Sequence, residues 1–206
     1  MCMKQENKNK IAIIGHTKGI GKAIADLYRN KKYQVTGLSR SNGYDLLTDQ
    51  EKILEKIEGH KLIVLNAHSG DGQMKMLKRI YGKHVFHNIK VAVITSTSGI
   101  DESPDYEQFR EMDVNQVLEH WDKFKYVQYC EQKKELINYI SDLQDDLFHK
   151  PMSVFDICPD VVDTDMTKGL WEKLPKLTAY EVADAVRYCF ESTCNVNKIV
   201  LQKNAN

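Results

Sequence analysis

The chain has 206 residues, 42% of them hydrophobic, with 29 basic and 29 acidic side chains that leave no formal net charge. That balance excludes a general electrostatic grip on nucleic acid or anionic lipid, which needs a clustered excess of Lys and Arg, and the length suits one domain whose core needs no metal or disulfide staple. The five cysteines (Cys2, Cys130, Cys158, Cys189, Cys194) are odd in number and lack CxxC spacing, which fits a reducing cytoplasm, and every apolar run is far shorter than the roughly 18 residues of a membrane span.

Residues 1–9 are polar with no apolar stretch behind them, so a disordered tail and no signal peptide are expected. Residues 11–14 form the first unbroken apolar run, followed by Gly15-His16-Thr17-Lys18-Gly19-Ile20-Gly21 and a helical pattern of Ile20, Ala23, Ile24, Leu27 and Tyr28. Further apolar, β-branched runs cover 34–38, 62–65, 91–94, 154–157 and 199–201. Unbroken rather than alternating apolarity marks strands buried on both faces. Between them, Thr48 with Glu51 and Thr178 with Glu181 have the form of capping boxes, and Ser103 before Pro104 marks another helix start. Lys75, Lys78, Arg79, Lys83 and His84 read as a solvated helix face, while Leu136, Ile137, Ile140, Leu143 and Leu147 repeat at helical spacing. Strands alternating with helices predict a doubly wound, mostly parallel α/β sheet in three layers, with its ligand site at the carboxyl ends of the strands. The expected domain spans 10–206, with an insertion at about 100–123.

A strand that runs into a glycine-rich turn and then a helix presents backbone N–H groups to an anion such as a pyrophosphate. Tyr129 and Lys133 are spaced i and i+4, which puts phenol and ammonium on one helix face. A nearby cation favours phenolate and brings the tyrosine toward the range of a usable proton donor and acceptor. His16, His68 and His87 lack metal-ligand spacing, so no metal is expected.

The Gly-x-x-x-Gly-x-Gly turn, Asp45 in Tyr44-Asp45-Leu46-Leu47-Thr48-Asp49, Asn66-Ala67-His68, Ser96 three residues before Gly99, Tyr129-x-x-x-Lys133 and Pro159-Asp160-Val161-Val162-Asp163-Thr164-Asp165-Met166 follow one another in order. In this series the chain resembles the short-chain dehydrogenase/reductase family of Rossmann-fold NAD(P)(H) oxidoreductases, from Ile11 to about Leu201. The resemblance implies Ser96, Tyr129 and Lys133 as catalytic residues. It implies cofactor contacts from Gly15, Thr17, Lys18, Gly19, Ile20 and Gly21 in the turn, from Ser39, Arg40, Asp45 and Leu46 around the adenosine, and from Asn66, Ala67 and His68. Tyr129, Lys133, Pro159, Val162 and Thr164 would complete the nicotinamide side. Lys18 and Arg40 border the adenosine ribose with no acidic residue at the end of the second strand, the pattern of NADP(H)-preferring members. The implied partner is a small-molecule carbonyl or alcohol, without nucleic acid or membrane, and the helix carrying Tyr129 is the candidate surface for a homo-oligomer.

The sequence also departs from the family. Ile14 stands where a threonine buttresses the loop, and His68 replaces a glycine. From Arg40 to Asp45 there is no room for a helix, and no asparagine is found to complete the usual proton relay. The insertion at 100–123 reads either as a substrate lid or as a solvated structural insert. A protein that binds NADP(H) without turnover, as sensor or scaffold, is the alternative to an enzyme, whereas an epimerase or dehydratase is disfavoured by the segment from Pro159 to Met166.

Overall fold

Each of the six apolar runs becomes a strand of one parallel sheet in the computed structural model, which describes residues 10–100, 123–169 and 174–204. The strands are β1 (Lys10–Ile14), β2 (Gln34–Leu38), β3 (Leu62–Leu65), β4 (Lys90–Ile94), β5 (Ser153–Pro159) and β6 (Lys198–Leu201). Between them lie α1 (Gly19–Asn30), α2 (Gln50–Lys56), α3 (Gly72–His84), α4 (Lys123–Asp146) and α5 (Ala179–Glu191). The spatial order is β2-β1-β3-β4-β5-β6 with all neighbours parallel. Chain direction across the sheet therefore reverses between β1 and β3, and a doubly wound sheet opens its crevice at such a switch point.

Successive side chains of a strand point to opposite faces, and both faces here are covered. Ala12 and Ile14 of β1 pack with α2, α3 and α4 in one apolar layer. Ile11 and Ile13 pack with α1 and α5 in the other. All four are at most 2% exposed. With each buried aliphatic side chain contributing about 1.5–3 kcal/mol, this double burial explains the continuous apolar runs. The edges differ, since β6 alternates between half-buried and exposed positions and β2 is covered only in part.

Two local expectations fail and one holds. Thr178 and Glu181 form the expected capping box at the start of α5. Thr48 and Glu51 do not, because α2 begins one residue later with Asp49 at its N-cap position. Asp49 Oδ2 accepts from the backbone N–H of Asp45 at 2.7 Å, and Glu51 is drawn instead to Arg79. The basic stretch on α3 is a solvated face for Lys75 and Lys83, which pair with Asp71 and Glu58. His84 departs from it, lying on the buried face of the same helix. The tail 1–9, the helix start at Ser103-Pro104 and nearly all of the insertion lie outside the described residues.

Candidate active site

A cleft of about 580 Å³ opens over the carboxyl ends of β1 to β5. Its floor on the β1 side is made by the glycine-rich turn. Gly15 has φ +91°, a left-handed conformation that suits glycine, and a Cβ on it would stand 2.6 Å from the Ala67 backbone nitrogen. A Cβ on Gly21 would stand 1.8 Å from the Gly15 carbonyl oxygen. The chain thus packs backbone against backbone here. Asn66 locks the arrangement by donating Nδ2 to the Gly15 carbonyl at 2.7 Å, so a side chain from the residue after β3 buttresses the loop that Ile14 leaves without a hydroxyl. At the start of α1, Lys18 holds the N-cap position and makes no side-chain cap. Uncapped N–H groups at a helix N-terminus favour an anion.

Beyond β2 the chain makes a single 3-10 turn over Arg40–Asn42. Asn42 fixes it, accepting at Oδ1 from the Ser39 backbone N–H at 2.8 Å and donating Nδ2 to the Gly37 carbonyl at 2.8 Å. Ser39, Arg40 and Ser41 then line the cleft. Arg40 makes no ion pair among the described residues and is exposed. Lys18 reaches across the mouth to Asp165, 3.2 Å away, both side chains being about three-quarters exposed.

The opposite wall comes from β4, β5 and α4. Ser96 follows β4 as the N-cap of a short 3-10 turn and accepts at Oγ from the Ser98 backbone N–H at 3.2 Å. Thr97 donates to Asp160 Oδ1 at 3.1 Å, tying this turn to the end of β5. A Cβ on Gly99 would lie 2.6 Å from the Lys133 carbonyl carbon, so the turn rests directly on α4. Along α4, Lys133 is the charged member of a buried stripe with Tyr126, Leu136, Ile140 and Leu143, which Leu147 extends just past the helix. Its Nζ lies 5.6 Å from the centroid of the Tyr129 ring. Burial pulls Lys133 down to about 8, opposed by Cys158 and Asp156 of β5. His68 meets the Tyr129 ring edge-on with centroids 4.9 Å apart, and burial with the nearby Lys133 charge lowers it to about 4. His68 is therefore neutral at physiological pH.

Of the residues expected at the site, all line this cleft except Gly21 and Asp45. Gly21 lies beneath the turn. The Asp45 carboxylate faces its own loop, accepting from the Leu47 backbone N–H at 2.8 Å. Residues to which the sequence assigned no contact of their own also belong here. Ser98, Tyr126 and Asp160 line the cleft near Ser96 and Tyr129, Met166 also lines it, and Gln73 of α3 bonds Lys133 Nζ at 2.9 Å. A signal for Gln73 existed, because it precedes Met76, Leu77 and Ile80 at helical spacing and is the polar member of a core face. Among the described residues no cluster of His, Cys, Asp or Glu could hold a metal ion, and no helix is long and apolar enough to cross a membrane.

No family model matches the sequence, and no curated protein is similar to it at the sequence level. Solved structures are similar in three dimensions. A 3-ketoacyl-(acyl-carrier-protein) reductase from Brucella melitensis, complexed with NADH, superposes with TM-score 0.71 at 13% identity, over 95% of this chain and 98% of that one. A short-chain dehydrogenase/reductase from Vibrio parahaemolyticus gives TM-score 0.68 at 16% identity, over 95% and 100%. A short chain dehydrogenase from Burkholderia cenocepacia in complex with NADP gives 0.66 at 13% identity, over 96% and 98%. Together with the sheet order and its switch point, these likenesses show that the chain has the Rossmann-like α/β fold of the short-chain dehydrogenases/reductases.

Proposed function

We propose that the protein is an NADP(H)-dependent short-chain oxidoreductase that interconverts a small-molecule carbonyl and its alcohol. The observation that carries the reading is the meeting of two sets of groups in one cleft. Ser96, Tyr129 and Lys133 line it on one side, and the uncapped N-terminus of α1 with its glycine cradle lines it on the other. The residues fit a dinucleotide phosphate, since close packing at Gly15 and Gly21 leaves the turn without side chains at those points and the α1 N–H groups would meet a pyrophosphate. Arg40, with the Ser39 and Ser41 hydroxyls beside it, would hold a 2′-phosphate. Pro159, Val162 and Thr164 would hold the nicotinamide end.

When bound, the cofactor supplies or accepts the hydride. The chain's own residues handle the oxygen. Ser96 uses an Oγ lone pair on the Ser98 N–H, which leaves its hydroxyl hydrogen to donate to the substrate oxygen as charge develops there. Tyr129 gives its phenolic proton to that oxygen during reduction and takes it back during oxidation. Lys133, protonated below about pH 8, keeps a positive charge beside the Tyr129 ring and so favours phenolate.

The test is NADPH oxidation, followed at its absorbance band, over a panel of ketones, aldehydes, quinones and keto sugars, with binding isotherms for NADPH and NADH run alongside. Turnover that is lost in Tyr129→Phe supports the reading. Tight NADPH binding with silence across the panel would replace it with a sensor or scaffold.

A further inference from the structure

Lys133 and Gln73 form a buried pair whose orientation is determined by their surroundings. Gln73 is 2% exposed and Lys133 3%. Gln73 donates Nε2 to the carbonyls of Leu65 at 2.8 Å and Ile94 at 2.9 Å. Its Oε1 accepts from Lys133 Nζ at 2.9 Å, and the same Nζ donates to the Ile94 carbonyl, also at 2.9 Å. A flipped amide would set its oxygen against two carbonyl oxygens and its nitrogen against an ammonium, so the amide has one workable orientation. Both Nε2 hydrogens are used, and Gln73 faces Lys133 as an acceptor only.

We propose that Gln73 is a positioning residue that holds Lys133 as a hydrogen-bond donor beside Tyr129. Two of the three ammonium hydrogens are committed to Gln73 and Ile94, and these bonds set where the charge sits relative to the Tyr129 ring. The amide cannot pass a proton on without flipping, so the pair is the inner end of the polar chain. The significance of the pair for turnover rests on the oxidoreductase reading, whereas the contact itself does not.

A buried ammonium keeps its proton only as far as acceptors and opposite charges offset its desolvation. The groups facing Lys133 are Tyr129 on its own helix, His68 from the loop after β3, and Asp156 and Cys158 from β5. Asp71 and Glu135 border the small void beside it. Asp156 is itself bonded by Thr95 and paired with Lys198 at 3.3 Å, which divides its attraction. Gln73 is thus the side-chain acceptor in direct contact with Nζ. Removing it should lower the titration midpoint of Lys133 by about one to two pH units, the scale of one hydrogen bond to a charged group. Replacing it by a carboxylate should raise the midpoint by a similar amount.

The experiment is a pH titration of the Lys133 side-chain nitrogen by NMR in cofactor-free protein labelled with 15N-lysine, the resonance being assigned by its loss in Lys133→Met. Gln73→Leu should move the midpoint down and Gln73→Glu should move it up, and in the loaded enzyme the alkaline limb of the kcat profile should move the same way, with substrate KM within about threefold. Where Gln73→Leu lowers Tm enough to blur the titration, Gln73→Met takes its place, being closer in shape. Midpoints that stay put in both variants, or that move in the same direction, overturn the proposal. Opposite shifts in a protein that never oxidises NADPH would leave the Gln73 assignment standing and remove the oxidoreductase reading instead.

Discussion

The two walls of the cleft recognise by different means. The β1–β2 wall works through backbone: the glycine turn, the α1 N–H groups and a 3-10 turn pinned by Asn42. The β4–α4 wall works through side chains, with Ser96 braced by Ser98, and Lys133 held by Gln73 under Tyr129. A backbone wall requires small residues at a few points and tolerates change elsewhere. A side-chain wall depends on particular atoms at particular heights along a helix. The first should therefore fail by exclusion of ligand and the second by loss of chemistry.

Tyr129→Phe gives the largest expected effect. It keeps the ring against His68 and removes the proton donor, so kcat should fall by about 100 to 10,000-fold, while NADPH binding, measured by isotherm, changes by no more than a few-fold. Arg40→Ala should follow, weakening NADPH by roughly 10 to 150-fold, because a hydrogen bond to a charged group is worth about 1.5–3 kcal/mol, while NADH binding holds. Equal losses for both cofactors would break the assignment of Arg40 to the phosphate. Gly21→Ala should come next, with a Cβ driven into the Gly15 carbonyl. Overpacking costs about 1–3 kcal/mol, to be read as a lower midpoint of denaturant unfolding, and NADPH and NADH should weaken together because the cradle is shared. Asp165→Asn should be smallest. Exposed ion pairs contribute about 0–1 kcal/mol, so freeing Lys18 should change NADPH affinity by less than about fivefold, and the change should shrink further as salt rises.

The fold was legible because its strands are buried on both faces, and an unbroken run such as Leu62-Ile63-Val64-Leu65 has few other uses. Even β6, half exposed at the sheet edge, kept enough β-branched residues to be seen. Spaced motifs were legible for a related reason: the i,i+4 relation of Tyr129 and Lys133 is set by helix geometry alone. What the sequence hid are contacts made across elements. Two segments of identical Thr-x-x-Glu form differ in outcome, because Arg79 of α3 draws Glu51 away whereas Glu181 returns to Thr178. Arg79 is 28 residues from Glu51, outside the reach of any local pattern. Gln73 and Lys133 are 60 residues apart, and the Asp45 carboxylate turned out to serve its own loop. His84 was grouped with its charged neighbours in sequence, yet helix periodicity turns it inward.

Gly99 touches neither of the groups expected to react, but its hydrogen occupies the gap between the turn after β4 and the backbone of α4 at Lys133. Any side chain there would push the helix away from the turn and carry Tyr129 with it. The position acts as a spacer between Ser96 and Tyr129. In a survey of tolerated substitutions scored by activity, residue 99 would accordingly be as intolerant as a reacting group, while a survey scored by folding yield alone would rank it lower. The gap between those two rankings is a measure of how finely the distance across the cleft is set.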